Sequence, residues 1–109
     1  MAKLTEAYQA RGGRTLVLSD FSPPRGAGME FLDDARMLEV DFICVAYNPG
    51  RAVRVDSAML AAAVKQETPR DVIFNLSPRD MNPVALESHL LGSAVLGLEN
   101  VLVVAGDPF

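Results

Sequence analysis

Four short and almost continuously apolar runs recur along the chain at intervals of about 27–30 residues, and they constrain the fold more than any other feature. Each run is rich in β-branched or aromatic residues, as expected for strands that are covered on both faces of a parallel sheet. They predict strands at residues 15–19, 42–46, 72–76 and 101–105.

Helical patterns fill the three segments between these runs, and a shorter one precedes the first run. The predicted helices cover residues 2–10, 28–39, 56–67 and 83–96. Asp56 and Asn82 are suitable N-caps, and Pro83 fits the first helical position after Asn82. The apolar stripe of the last helix predicts a buried face formed by Leu86, Leu90, Leu91, Ala94 and Val95.

Alternating strands and helices predict an α/β fold in which right-handed crossovers build a parallel sheet. The pattern fits both a (β/α) barrel and an open, doubly wound sheet. A full barrel takes about 250 residues. If the fold is a barrel, the 109 residues form one partial domain, the first half of a TIM-type (β/α)8 barrel with the four predicted strands and a leading helix.

Composition narrows the range of functions. The net charge is −4 and no run of Lys or Arg occurs, so neither nucleic-acid nor membrane binding is indicated. The single cysteine, Cys44, cannot form an internal disulfide. No apolar stretch approaches the roughly 18 residues of a membrane span. We expect a cytoplasmic protein, and without metal-ligand spacing of Cys or His we expect no metal site.

Polar and turn-forming residues follow each predicted strand, whereas the connections at the opposite ends are shorter and plainer. Ligands of (β/α) folds bind at the carboxyl ends of the strands, so this asymmetry predicts a site at that edge. The candidate residues are Asp20, Tyr47, Asn75, Arg79, Asp80, Gly106 and Asp107.

Several of these residues also have a purely structural interpretation. Asp20 is a candidate general acid if a partly apolar cleft holds its carboxyl group, but an isolated aspartate more often accepts backbone hydrogen bonds in a turn. Gly106 and Asp107 fit either a close approach to a cofactor or a simple turn. Arg79 and Asp80 fit either an ion pair that orients the loop or a ligand clamp.

Two further arginines, Arg51 and Arg54, follow the second strand. They either meet phosphate groups or are solvated. His89 lies within the last predicted helix and Cys44 within the second strand, and both are predicted to be packing residues.

Four motifs occur in order at these strand ends. They are Asp-Phe-Ser-Pro-Pro at 20–24, Val-Ala-Tyr at 45–47 with Arg-Val-Asp at 54–56, Asn-Leu-Ser-Pro-Arg-Asp at 75–80, and Gly-Asp-Pro at 106–108. Together they resemble the methylenetetrahydrofolate reductase family of flavin-containing barrels over about residues 16–109. No single motif is specific, but the four in register are.

The resemblance implies hydride transfer from reduced FAD to methylenetetrahydrofolate, which gives methyltetrahydrofolate, with NAD(P)H or a protein as the electron donor. By resemblance, Asp20 takes the place of a general-acid glutamate, and Asp107 that of an aspartate near the pyrimidine edge of the flavin. The implied cofactor-binding residues are Tyr47, Asn75, Arg79, Asp80, Gly106 and Asp107.

Four residues depart from the family pattern. Asp20 is one methylene shorter than glutamate, Ala46 stands in place of threonine, Asn75 in place of histidine, and Ala105 where many members have arginine. These departures indicate a divergent branch of the family.

The sequence stops directly after the fourth predicted strand, where a barrel continues with further strands. We therefore expect an N-terminal fragment of the enzyme, or a chain whose barrel is completed by a second copy or a second chain. The alternatives are a non-catalytic half-barrel subunit that binds a partner through its strand edges, and a doubly wound domain with an unrelated ligand.

Overall fold

A computed structural model describes residues 3–105 of the chain. Four parallel strands form one sheet in the order β1-β2-β3-β4. The strands are β1 (Leu18–Phe21), β2 (Phe42–Val45), β3 (Asp71–Leu76) and β4 (Val101–Val103). The helices are α1 (Leu4–Ala10), α2 (Phe31–Met37), α3 (Ser57–Glu67) and α4 (Pro83–Val95), with 3-10 turns at Pro49–Arg51 and Pro78–Asp80.

Strands that are neighbours in this sheet are also consecutive in sequence. Right-handed crossovers that all advance in one direction place their connecting helices on one face of the sheet. An open doubly wound sheet reverses its strand order and has helices on both faces. The described sheet has no such reversal, so its topology is that of the first half of a (β/α) barrel and not that of a doubly wound domain.

The larger core lies between the sheet and the connecting helices. Alternate residues of β2 and β3 point toward α2 and α3, and their side chains are fully or almost fully buried there. The strand residues of this core are Ile43, Val45, Val72, Phe74 and Leu76, and the helix residues include Leu32, Ala35, Leu60, Ala61 and Val64. Burial of β2 on both faces explains why its sequence is continuously apolar.

The leading helix α1 lies on the opposite, inner face of the sheet. Leu4 and Ala7 pack against Phe42 and other inner-face residues. The backbone N–H of Leu4 donates to Oδ1 of Asn100 over 2.8 Å. Because Phe42 begins β2 and Asn100 directly precedes β4, α1 covers the amino end of the sheet and not the carboxyl end.

The predicted helix caps are confirmed. One carboxylate oxygen of Asp56 accepts the backbone N–H groups of Ala58 and Met59, each over 3.1 Å. Oδ1 of Asn82 accepts the N–H of Ala85 over 2.8 Å. These bonds satisfy N–H groups that have no partner within the first turn of a helix.

The predicted position of β1 was wrong, because the strand begins at Leu18 and not at residue 15. The backbone oxygen of Val17 accepts the N–H groups of Asp41 and Phe42, and the N–H of Val17 donates to the Asp41 carboxylate over 2.8 Å. The backbone of Val17 is therefore bonded to the segment at the start of β2 and not to a strand. The regular pairing of β1 with β2 begins where Leu18 pairs with Phe42.

The predicted buried face of α4 was also wrong, except at Leu86. Leu91 and Val95 are 71% and 86% exposed, whereas Ser93 is 2% exposed. Leu86 packs against the larger core, the ring of His89 meets that of Phe74 in β3, and the hydroxyl of the buried Ser93 donates to the backbone oxygen of His89 over 2.8 Å. Satisfying its hydroxyl group within the helix allows a serine to occupy this buried position.

Among residues 3–105, none of the helices is both long enough and apolar enough to cross a membrane.

Candidate functional site

A cleft of about 330 Å³ opens at the carboxyl ends of β2 and β3, and three of the predicted site residues line it. Tyr47 follows β2, Asn75 is the penultimate residue of β3, and Arg79 lies in the turn after β3. Ala46, Asn48, Pro49 and Val104 complete the lining. Consecutive parallel strands end at the same edge, which explains why residues distant in sequence meet here.

Asn75 is held from the inner face of the sheet. The thiol of Cys44 donates to Oδ1 of Asn75 over 3.2 Å. The amide oxygen is therefore engaged, whereas the amide nitrogen has no hydrogen-bond partner among the described residues. An amide in this orientation presents two N–H donors to a ligand.

Cys44 is buried, as predicted for a packing residue. Burial raises the pKa of its thiol above the ordinary value, and the negative charge of Asp20 raises it further. The thiol therefore remains protonated at neutral pH and can donate to Asn75. Its contact with Asn75 was missed because a sequence does not show the register between two strands.

The structure places Asp20 within β1, where it pairs with Cys44, and not in the loop after the strand. Asp20 shares the inner face of the sheet with Cys44 but does not line the cleft of Tyr47 and Asn75. Asp20 is exposed to solvent. Residues 3–105 therefore do not form the partly apolar cleft that would favour Asp20 as a general acid.

Arg79 and Asp80 form the ion pair that the sequence suggested. Nε and Nη2 of Arg79 donate to the two carboxylate oxygens of Asp80 over 3.0 and 2.9 Å. The Arg79 side chain is only 14% exposed. This two-pronged geometry fixes the plane of the guanidinium group beside the cleft.

Tyr47 joins this pair through a hydrogen bond between its hydroxyl group and the Asp80 carboxylate. Burial raises the pKa of Tyr47 above its ordinary value, with the charge of Asp80 as the next contribution. The hydrogen bonds from Arg79 are the main reason why the pKa of Asp80 lies below its ordinary value. At neutral pH the three residues thus form a neutral phenol, a carboxylate and a guanidinium.

The loop after β2 has an unusual backbone. Asn48 and Arg51 have φ angles of 36° and 61°, in a region that side chains other than glycine rarely adopt. Oδ1 of Asn48 accepts the N–H of Arg54 over 2.9 Å, and Nη1 of Arg54 donates to the backbone oxygen of Pro23 over 2.7 Å. Arg54 therefore binds the β1 exit loop to the β2 exit loop.

His89, Gly106 and Asp107 are the other residues that the sequence singled out. His89 is a packing residue whose ring meets that of Phe74 edge to face, with centroids 6.4 Å apart. Gly106 and Asp107 lie outside the described residues. Within residues 3–105, no group of three or more His, Cys, Asp or Glu residues is arranged to hold a metal ion.

A sequential parallel sheet with a polar cleft at the carboxyl ends of its strands is the architecture of (β/α)-barrel enzymes. The sequence profile described as methylenetetrahydrofolate reductase matches residues 4–109, and the chain belongs to that family. A comparison with curated proteins gave no match. Membership implies an oxidoreductase with a methylenetetrahydrofolate reductase-like function.

Proposed function

We propose that the cleft lined by Tyr47, Asn75 and Arg79 holds the ring system of FAD in an enzyme that reduces methylenetetrahydrofolate to methyltetrahydrofolate. The observation that supports this most directly is the convergence of these three side chains on one cleft, in a chain of this family. Its volume of about 330 Å³ is at the lower end of the range typical of small-molecule sites.

The side chains of the cleft fit a flavin chemically. The pyrimidine edge of the ring system presents carbonyl oxygens, which need N–H donors. The amide nitrogen of Asn75 is such a donor without a partner among residues 3–105, and Arg79 adds a guanidinium that Asp80 holds in place. Bound FAD would supply the hydride that reduces the substrate.

We propose that Asp20 provides the proton that opens the imidazolidine ring of the folate. It lies one strand away from Cys44 on the inner face, and its exposed carboxyl group is accessible to a substrate stacked over the cleft. Asp80 fixes Arg79 and Tyr47, and Gly106 and Asp107 remain proposed flavin contacts through the family resemblance. The proposed electron donor is NAD(P)H or a partner protein.

The exposed β4 edge of the sheet supports a proposal about how the barrel is completed. All three residues of β4 are exposed, which is unusual for a strand of a parallel sheet. We propose that additional strands complete the barrel beside β4, from the same polypeptide, a second copy or a second chain. The alternative is a half-barrel subunit that binds a partner without taking part in catalysis.

Flavin binding distinguishes these two functions. We would purify the protein with whatever chain completes its barrel, record its visible absorbance and measure the dissociation constant of FAD. Asn75→Ala should weaken FAD binding about tenfold, a change typical of losing one hydrogen-bond donor in a buried site. Arg14→Ala, a substitution in the segment before β1 and away from the cleft, is the control. A completed barrel that binds no flavin would contradict the proposal.

Ala46 and Asn75 differ from the family pattern, and both residues line the cleft, which allows a second test. Restoring the family pattern with Ala46→Thr and Asn75→His should preserve flavin binding if the cleft is the flavin site. For Asp20, Asp20→Asn should abolish folate reduction while the flavin is still reduced by its donor at the normal rate. Equal loss of both half-reactions would show that Asp20 is not the acid.

A further inference from the structure

We propose that a second cleft binds an anionic group of the ligand whose ring occupies the cleft lined by Tyr47, Asn75 and Arg79, here called the flavin cleft. The second cleft, named here the Arg51 cleft, has a volume of about 580 Å³ and lies between the loops that follow β2 and β3. Its charged lining residues are Arg51, Arg79 and Asp80. The proposal rests on the proposed function, because the tethered ligand is a flavin or a folate.

The two clefts are continuous in their lining. Asn48 and Arg79 line both of them. A ligand whose ring lies between Tyr47 and Asn75 can therefore extend a charged substituent past Arg79 toward Arg51. The continuity points to one elongated ligand and not to two unrelated sites.

The charges in the Arg51 cleft favour an anion. Asp80 neutralises Arg79 through their paired hydrogen bonds. The guanidinium of Arg51, in contrast, forms no hydrogen bond or ion pair with any residue that the structure describes. The cleft thus has a net positive charge in a chain whose overall charge is −4.

The strained backbone conformation of Arg51 supports a role of this residue in ligand binding. Its φ of 61° is unfavourable for any residue with a Cβ, and glycine would occupy the same position without that cost. The conformation is held in place, since the N–H of Arg51 donates to the oxygen of Asn48 over 3.1 Å. Strained residues that a surrounding structure maintains are concentrated at ligand sites.

Two sources of the anion share this chemistry. One is a phosphate of the flavin nucleotide, and the other is the carboxylate tail of a folate with several glutamyl residues. Arg51 can form paired hydrogen bonds with either group.

The test uses ligand pairs that differ only in the anion. Dissociation constants are measured for riboflavin and FMN, and for a reduced folate with one or four glutamyl residues, using the protein with its completed barrel. The variants are Arg51→Gly, which removes the charge without backbone strain, Arg51→Lys, which keeps the charge, and Arg14→Ala as the control. A loss of about three- to tenfold is expected for the anionic member of one pair in Arg51→Gly alone.

The outcomes separate the possible sources. A loss confined to FMN identifies phosphate, and a loss confined to the tetraglutamyl folate identifies the carboxylate tail. Equal affinities of Arg51→Gly and wild type for every ligand would overturn the Arg51 cleft while leaving the flavin cleft intact. If the wild type binds no flavin or folate, the proposed function fails. In that case an NMR titration with inorganic pyrophosphate tests anion binding in the Arg51 cleft by itself. A chemical-shift change at the Arg51 side chain supports the proposal, and an unchanged spectrum overturns it.

Discussion

The thiol of Cys44 and the amide oxygen of Asn75 are joined across β2 and β3 by a hydrogen bond of 3.2 Å. The two residues lie on the inner face of the sheet, at the depth where the cleft lined by Tyr47, Asn75 and Arg79 begins. Cys44 itself does not line the cleft but determines which side of the Asn75 amide faces it. A residue that packs in the sheet thereby controls the hydrogen-bonding character of the site.

We predict that Cys44→Ala weakens flavin binding several-fold, because the Asn75 amide loses its anchor and can turn its oxygen into the cleft. Cys44→Ser should retain most of the affinity, since a hydroxyl group can donate the same hydrogen bond. The measurement is a fluorescence titration with FAD, with the unfolding midpoint recorded in urea to exclude a loss of folded protein. Equal affinity of the alanine and serine variants would show that the contact does not orient Asn75.

The reactivity of the Cys44 thiol should depend on pH in a predictable direction. Its raised pKa means that the folded protein holds the proton more tightly than the unfolded chain. The protonated Cys44 thiol contributes fully to the stability of the fold below the ordinary thiol pKa of about 8.5. This contribution is lost as the pH rises through the higher pKa of the folded state. Alkylation by iodoacetamide should therefore be slow at neutral pH.

Asp20→Asn removes the second contribution to this pKa but not the larger effect of burial. The midpoint of the alkylation profile should move down and remain above that of a thiol in a short peptide. A profile that Asp20→Asn leaves unchanged would contradict the position of Asp20 beside Cys44.

The Asp80 carboxyl group should show the opposite pH dependence. Its pKa is lowered mainly by the hydrogen bonds from Arg79, so the loop contact is complete above the ordinary aspartate value of about 3.9. The contact should be lost only as the pH falls through the lower folded-state pKa. A carbon-13 NMR titration of the carboxyl group should give a higher midpoint in Arg79→Gln than in the wild type, and identical midpoints would contradict the ion pair.

The strain at Arg51 leads to a prediction about stability. Arg51→Gly should increase the free energy of unfolding by about 1 kcal/mol, because glycine adopts a φ of 61° without a steric cost. Asn48→Gly should give no such gain, since it also removes the side-chain bond to the N–H of Arg54. Urea unfolding of both variants tests this. Destabilisation by Arg51→Gly would show that the arginine contributes packing that outweighs the strain.

Sequence patterns predicted the order of strands and helices, the caps at Asp56 and Asn82, and the edge of the sheet at which the cleft of Tyr47 and Asn75 opens. These features depend on local composition and on the handedness of crossovers, which a single sequence contains. The missed features depend on pairing between distant segments. The start of β1 is determined by Asp41, and the orientation of Asn75 by Cys44.

The buried face of α4 shows the same limit and gives the last prediction. Apolar residues occur on several sides of this helix, so periodicity selected the stripe with most leucines, whereas the buried residue of the helix is Ser93. In the chain of residues 1–109, Leu91→Lys should change the free energy of unfolding by less than about 0.5 kcal/mol. Ser93→Leu should destabilise the chain by about 1–3 kcal/mol, because the buried position has no room for a larger side chain. Urea unfolding of the two variants shows which face of α4 is buried. A larger loss of stability in Leu91→Lys than in Ser93→Leu would mean that the face predicted from the sequence is the buried one.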